Sequence, residues 1–359
     1  MDYREMIERL RNGAEDSCKD GVRYVVKPIP DRIGDGILDP RLLEAAKGGV
    51  GISYPKDNRN VTEQELKIIR QEIGAPNREV TKGALSEQNY EILKEDGSKI
   101  VFRRYEAEKK EKLPVLIYIH GGGFIGGELE MCENLCRDIA RSAPAAVFSV
   151  EYRLCPEFQY PFAVNDCFDA VDYILEHLGE WGLEESAVSI AGDSAGGNLA
   201  LCCSMREKYN RTNRIRQQIL LYPAINIGKY EFDDFHWRED FYTWSSDAEE
   251  REIQGKLARD VGIFDDLMAE TYAGGIGRTK DIYVCPILNT DWSDMPETVL
   301  VLGEYDYLSQ EGIYLAGKLA QAQNTVSVYW YKGMCHAFGE HLGDFPQAED
   351  MMRVMAEKV

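Results

Sequence analysis

The sequence predicts an α/β fold, a mostly parallel central sheet flanked by helices, and three observations predict it. Apolar runs recur at Val115 to Ile119, Ala145 to Val150, Val188 to Ala191, Ile219 to Leu221, Val299 to Leu302 and Val326 to Tyr331. Most are separated by amphipathic stretches of helix length, the alternation that builds a parallel sheet covered on both faces. Ahead of them, Asn89 to Leu93 and Lys99 to Arg103 flank Glu95-Asp96-Gly97-Ser98, a hairpin signal. Third, Gly192-Asp193-Ser194-Ala195-Gly196 follows one apolar run and leads into Asn198 to Met205, which reads as a buried helix. Strand, tight turn and helix therefore succeed one another around Ser194.

A length of 359 residues permits two or three average domains, but one large α/β domain is the simplest account. The composition, 44% hydrophobic and 29% charged, is that of a soluble globular protein. With 41 basic against 62 acidic residues the net charge is −21, which repels nucleic acids and anionic membranes and suits small neutral substrates. Nine cysteines lack the paired spacing of a zinc site and read as reduced, buried thiols. Cys132 and Cys136 lie one helical turn apart, yet no histidine or second pair accompanies them, so neither a metal nor a cofactor is expected. The start of the chain is charged and lacks an apolar signal core, and no stretch reaches the roughly 18 apolar residues of a membrane span. A cytoplasmic protein is expected.

Residues 1–84 carry helix-compatible stretches at Arg4 to Arg11 and Val61 to Gly74, joined by a Gly- and Pro-rich segment from Pro28 to Gly51, and show no strand repeat. They are read as a segment distinct from the catalytic domain at 85–359. Within that domain, the connection from Tyr222-Pro223 to Val299 far exceeds a loop of about 4–6 residues. It holds Lys229 to Trp237 and Phe241 to Trp244, dense in aromatic and acidic residues, then a charged helical stretch up to Tyr272. The region at about 229–275 is expected to be an inserted helical subdomain whose rings build a small core and also wall an apolar substrate pocket.

Glycines two residues either side of Ser194 are what a nucleophile elbow needs, since the turn is too tight for side chains there. A serine hydroxyl needs a base within hydrogen-bond reach, and the base needs a third group to orient it. Of five histidines, His120 belongs to a glycine motif, His177 to the helix before the elbow and His236 to the insertion, while His341 lies beyond the last loop. His336 leaves the last apolar run, where the active-site groups of open α/β sheets gather. The acid is expected between Ser194 and His336, and Asp306, ahead of Glu304, stands in the loop after Val299 to Leu302. His120-Gly121-Gly122-Gly123 follows another run and lets backbone N–H groups approach an oxyanion, with the N–H of Ala195 as a further donor. A phosphate loop is disfavoured, because the Gly-x-x-x-x-Gly-Lys-Ser/Thr pattern is missing.

Together with Glu151-Tyr152-Arg153-Leu154-Cys155-Pro156-Glu157, these motifs occur in the order found in one family. The chain resembles the hormone-sensitive-lipase-like family of α/β-hydrolase carboxylesterases over about residues 85 to 345. The resemblance implies an α/β-hydrolase fold, a triad of Ser194, Asp306 and His336, and an oxyanion hole from the N–H groups of Gly122, Gly123 and Ala195. It further implies that 1–84 and the insertion fold together as a helical cap, that Arg153 and Glu157 are structural, and that a homodimer is admissible. The implied activity is serine carboxylesterase action on short to medium acyl esters. The rival readings are a serine peptidase or amidase and a non-catalytic ligand-binding receptor. One departure stands out: the family has proline after the acid and an aspartate a few positions on, where this chain has Tyr307 and Gln310.

Overall fold

In the computed structural model every apolar run named above is a strand of one ten-stranded sheet. The structure describes residues 1–48, 55–75, 78–107 and 112–359; Gly49 to Gly51, the end of the Gly- and Pro-rich segment, lie outside the described residues. The chain opens with α1 (Tyr3–Asn12), β1 (Glu15–Lys19), β2 (Val22–Lys27), α2 (Pro40–Lys47) and α3 (Glu63–Glu72). The hairpin β3 (Ser86–Leu93) and β4 (Lys99–Glu106) follows, then β5 (Val115–Ile119), α4 (Leu129–Ser142), β6 (Ala146–Val150), α5 (Phe162–His177) and β7 (Val188–Asp193). Next come α6 (Ala195–Tyr209), β8 (Gln217–Leu221), α7 (Ala248–Thr271), β9 (Glu297–Gly303), α8 (Ser309–Gln321), β10 (Val326–Tyr331) and α9 (Pro346–Lys358).

Strand order is β1-β2-β10-β9-β8-β7-β5-β6-β4-β3. The seven strands from β2 to β6 run parallel, and β1, β4 and β3 pair antiparallel at the two edges. Central strands are buried on both faces, which explains their continuous apolar runs. Side chains alternate between two cores: Val115, Ile117 and Ile119 join the one packed by α5, α6 and α8, while Leu116 and Tyr118 join the one packed by α4 and α9.

Residues 15–27 form a two-stranded hairpin in the segment where the sequence shows no strand repeat. Strand β2 lies parallel beside β10, with Val22 opposite Val326 and Lys27 opposite Tyr331, and β1 folds back on it. All five residues of β1 are exposed and polar, so no apolar run marks it. The signal that was present is Asp20-Gly21, whose positive φ values of 51° and 82° make a tight hairpin turn. Lys27, buried between β10 and α9, pairs with Asp350 at 2.8 Å and anchors the added strand.

The register aligns the carboxyl ends of the strands that matter. Ile119 sits opposite Gly192, Asp193 opposite Leu221, Leu221 opposite Val301, and Gly303 opposite Tyr331. Between β5 and β7 the direction of winding reverses, and the loops after those two strands therefore face each other across a crevice. Helix α7 and the residues before it cover this edge. Glu250 of α7 accepts from the Leu38 N–H at 2.7 Å and pairs with Arg32 at 2.7 Å, tying the insertion to the N-terminal segment. Among the described residues no helix is long and apolar enough to cross a membrane.

Candidate active site

Ser194 sits between β7 and α6 with φ 52° and ψ −117°, a left-handed conformation that costs a non-glycine residue about 1–3 kcal/mol. The turn is over-determined. The Ser194 N–H donates to Leu221 O at 2.9 Å, and its carbonyl accepts from Asn198 and Ala224, both at 3.1 Å. A Cβ on Gly192 would lie 2.3 Å from Gly196 O, and one on Gly196 would lie 2.1 Å from Ile119 O, so both flanking glycines are obligatory.

The hydroxyl Oγ of Ser194 lies 2.9 Å from Nε2 of His336, and Nδ1 of the same ring lies 2.9 Å from Oδ2 of Asp306. Asp306 is fully buried, and its second oxygen accepts the Leu308 N–H at 2.9 Å. With a carboxylate on Nδ1, that nitrogen carries the proton and Nε2 is left free to accept from the serine. Glu304, the rival acid, points elsewhere: its carboxylate accepts the Gly333 N–H at 2.8 Å and holds the histidine loop instead of the ring. The Tyr305 N–H donates to Met334 O at 2.8 Å, which docks the acid loop onto the histidine loop.

On the opposite wall, Gly122 and Gly123 have φ values of 107° and 60°. Among the described residues the N–H groups of Gly122, Gly123 and Ala195 find no protein acceptor, which leaves three donors at one end of the crevice. Gly121 is held by Asp193, whose Oδ1 accepts its N–H at 2.9 Å and the Tyr118 hydroxyl at 2.6 Å. His120 is buried and its Nδ1–H donates to Gly121 O at 2.8 Å; burial lowers its pKa to about 4, so it stays neutral and shapes the loop. The Tyr152 hydroxyl donates to His120 O at 2.9 Å.

Several contributors were not legible beforehand. Asp193 belonged to the elbow motif without a role. Tyr242, from the insertion, donates its hydroxyl to Asp306 O at 3.0 Å. The Phe264 ring of α7 lies so close to Gly123 that a Cβ there would come within 1.9 Å of it. Behind the elbow, a cavity of about 10 Å³ is lined by Tyr118, Cys132, Asp193, Tyr222 and Glu340. Burial and the neighbouring Asp193 push the Glu340 carboxyl up to about 8.

The remaining motif residues are structural. Arg153 pairs with buried Asp166 at 2.6 Å, and Glu157 pairs with Arg70 of α3 at 2.7 Å. Glu151 accepts the Leu129 N–H at the start of α4. His341 and His177 stay outside the site; the latter bonds to Tyr173 O within its own helix. Cys132 and Cys136 are buried with five other cysteines, while Cys18 is exposed on β1, an exception to the expected burial.

Sequence and structure comparisons agree with this architecture. Residues 116–340 match the family model described as alpha/beta hydrolase fold, and the chain belongs to that family. It is 25% identical over 305 residues to an arylesterase of Saccharolobus solfataricus, covering 84% of this chain and 92% of that protein. Esterase LipI of Mycobacterium tuberculosis is 29% identical over 238 residues, 66% of this chain and 69% of its own length. Among solved structures, a hyperthermophilic esterase from the archaeon Pyrobaculum calidifontis superposes with a TM-score of 0.68 at 25% identity, covering 89% of this chain and 97% of that one.

Proposed function

We propose that this chain is a serine carboxylesterase that hydrolyses short to medium acyl esters through an acyl-enzyme. The observation that carries the reading is the unbroken line from Ser194 Oγ through the His336 ring to Asp306 Oδ2, with both contacts at 2.9 Å, facing three free N–H donors. His336 takes the Ser194 proton as Oγ attacks the ester carbonyl, and the Gly122, Gly123 and Ala195 N–H groups hold the oxyanion. His336 then protonates the departing alkoxide, and the C–O bond to the alcohol breaks. Water enters, gives its proton to His336, and attacks the acyl-enzyme; the proton returns to Ser194 Oγ as the carboxylic acid leaves. Asp306 fixes the tautomer of His336 throughout.

The reading of short to medium chains rests on the aromatic insertion, whose Phe264 ring on α7 packs against Gly123 of the oxyanion loop. The arylesterase and esterase relatives support the ester class. The test compares turnover of 4-nitrophenyl acetate, the decanoate and an aminoacyl anilide. Ester turnover that falls towards the decanoate and disappears in Ser194→Ala is expected. Anilide turnover without ester turnover would move the protein to the peptidases, and no turnover of any probe would favour a ligand-binding role.

A further inference from the structure

Helix α7 carries a charged group the mechanism does not use. Asp265 is 1% exposed, and among the described residues neither of its carboxylate oxygens has a hydrogen-bond partner. It lies on the part of α7 that spans the reacting groups. Its neighbour Phe264 abuts Gly123, and Gly262, one turn earlier on the same face as Asp265, stands so near Tyr307 that a Cβ would lie 2.7 Å from the ring. The titratable and charged groups facing Asp265 are Lys229, Asp266, Asp306, Tyr307, Glu311 and Cys285. The single cation among them, Lys229, is engaged elsewhere, with its ammonium 2.7 Å from Asp266.

Glu311 faces Asp265 from α8, 3% exposed, with Oε1 accepting the Ile225 N–H at 2.7 Å. Two buried carboxyls thus stand beside the acid of the triad. Burial raises both groups; Asp265 raises Glu311 further, and Asp266 and Asp306 raise Asp265. A buried carboxyl without partners is costly, and it ionises only if something supplies donors and positive charge. Neither a neutral acyl chain nor the enclosing aromatic rings do so. A primary ammonium brings three N–H donors and one positive charge, which satisfies Asp265 and offsets the field of Glu311 and Asp306.

We infer that Asp265, backed by Glu311, is a recognition site for a protonated amine, so that the preferred esters carry an ammonium group on the acyl or the alcohol side. This rests on the esterase reading and names the substrate class of the same site. The chain's net charge of −21 works in the same direction, drawing cationic substrates towards the crevice.

The test has a binding arm and a turnover arm. Calorimetry measures hexylammonium and hexanol binding to the wild-type protein and to Asp265→Asn and Asp265→Ser. Hexylammonium is expected to bind the wild type at least about tenfold more tightly than hexanol does, and to lose about tenfold in either variant. In turnover, KM is compared for 4-nitrophenyl 6-aminohexanoate against the hexanoate, and for aminoethyl hexanoate against ethyl hexanoate. In one of these pairs the KM ratio, charged over neutral, is expected to rise about tenfold in Asp265→Asn. Equal wild-type affinity for hexylammonium and hexanol overturns the inference, whatever the variants do, as does an unchanged KM ratio in both pairs. Selective hexylammonium binding without turnover of any ester would overturn the esterase reading and leave the amine site standing.

Discussion

The side-chain amide of Gln310 pairs with both backbone groups of Arg238: Oε1 accepts the N–H at 2.9 Å and Nε2 donates to the carbonyl at 2.8 Å. Beside it, Tyr307 stacks on Trp237 with ring centroids 5.6 Å apart. These are the two positions at which the acid loop departs from its family, and both departures fasten the insertion to that loop. Gln310→Ala is expected to lower stability by about 1–3 kcal/mol, the sum of two partly buried hydrogen bonds. Urea unfolding measures it, and a midpoint equal to wild type would show that the insertion is held by other contacts.

Two substitutions at the elbow separate chemistry from strain. Ser194→Ala should lower kcat by about 10⁴–10⁶-fold with the fold intact. Ser194→Gly removes the nucleophile as well, but relieves a φ of 52° and should unfold about 1 kcal/mol later than Ser194→Ala. Denaturation of the two inactive proteins side by side reads the difference.

The two acids in one loop give a paired comparison. Asp306→Asn should lower kcat by about 10⁴-fold by favouring the wrong histidine tautomer. Glu304→Gln keeps an acceptor for the Gly333 N–H and should cost less than about tenfold. A reversal of that order would exchange their roles.

Gly123→Ala places a methyl group at a φ of 60° and within 1.9 Å of the Phe264 ring, so the loop or α7 must shift. Loss of one aligned oxyanion donor lowers kcat by about 10²–10³-fold, more than it changes KM. Combining it with Phe264→Ala frees the space but not the φ, and should restore only part of the loss.

Glu340 supplies a pH test. Its carboxyl is raised from 4.5 to about 8, so the folded chain keeps a proton that the unfolded chain gives up between those values. Below the unfolded pKa this contribution to stability is fully present; it is lost as pH rises through the folded one. Glu340→Gln removes the dependence. Its melting temperature should therefore gain on wild type as pH goes from 4.5 to 8, and a constant offset would show that Glu340 ionises normally.

Legibility in the sequence followed burial. Strands β5 to β10 are enclosed on both faces, so each leaves a continuous apolar run, and their order placed Ser194, Asp306 and His336 after the correct strands. Strand β1 pairs along one edge with every side chain in solvent and leaves no such mark. Side-chain partnerships across loops were equally silent: the division of labour between Asp306 and Glu304 depends on how two loops dock, and the grip of Gln310 on Arg238 joins residues far apart in sequence.

The place of β2 next to β10 has a consequence for synthesis and folding. The two strands pair although one spans Val22–Lys27 and the other Val326–Tyr331, far along the sequence. The sheet therefore cannot be completed before β10 has been made, and the pairing of β2 with β10 is a contact of very high sequence separation, the slow kind. Until then β10 has an unpaired flank, as it would in a protein lacking its first 27 residues, and an open flank invites other chains to pair there. The early hairpin acts as the latch that ends the assembly of the strand leading to His336.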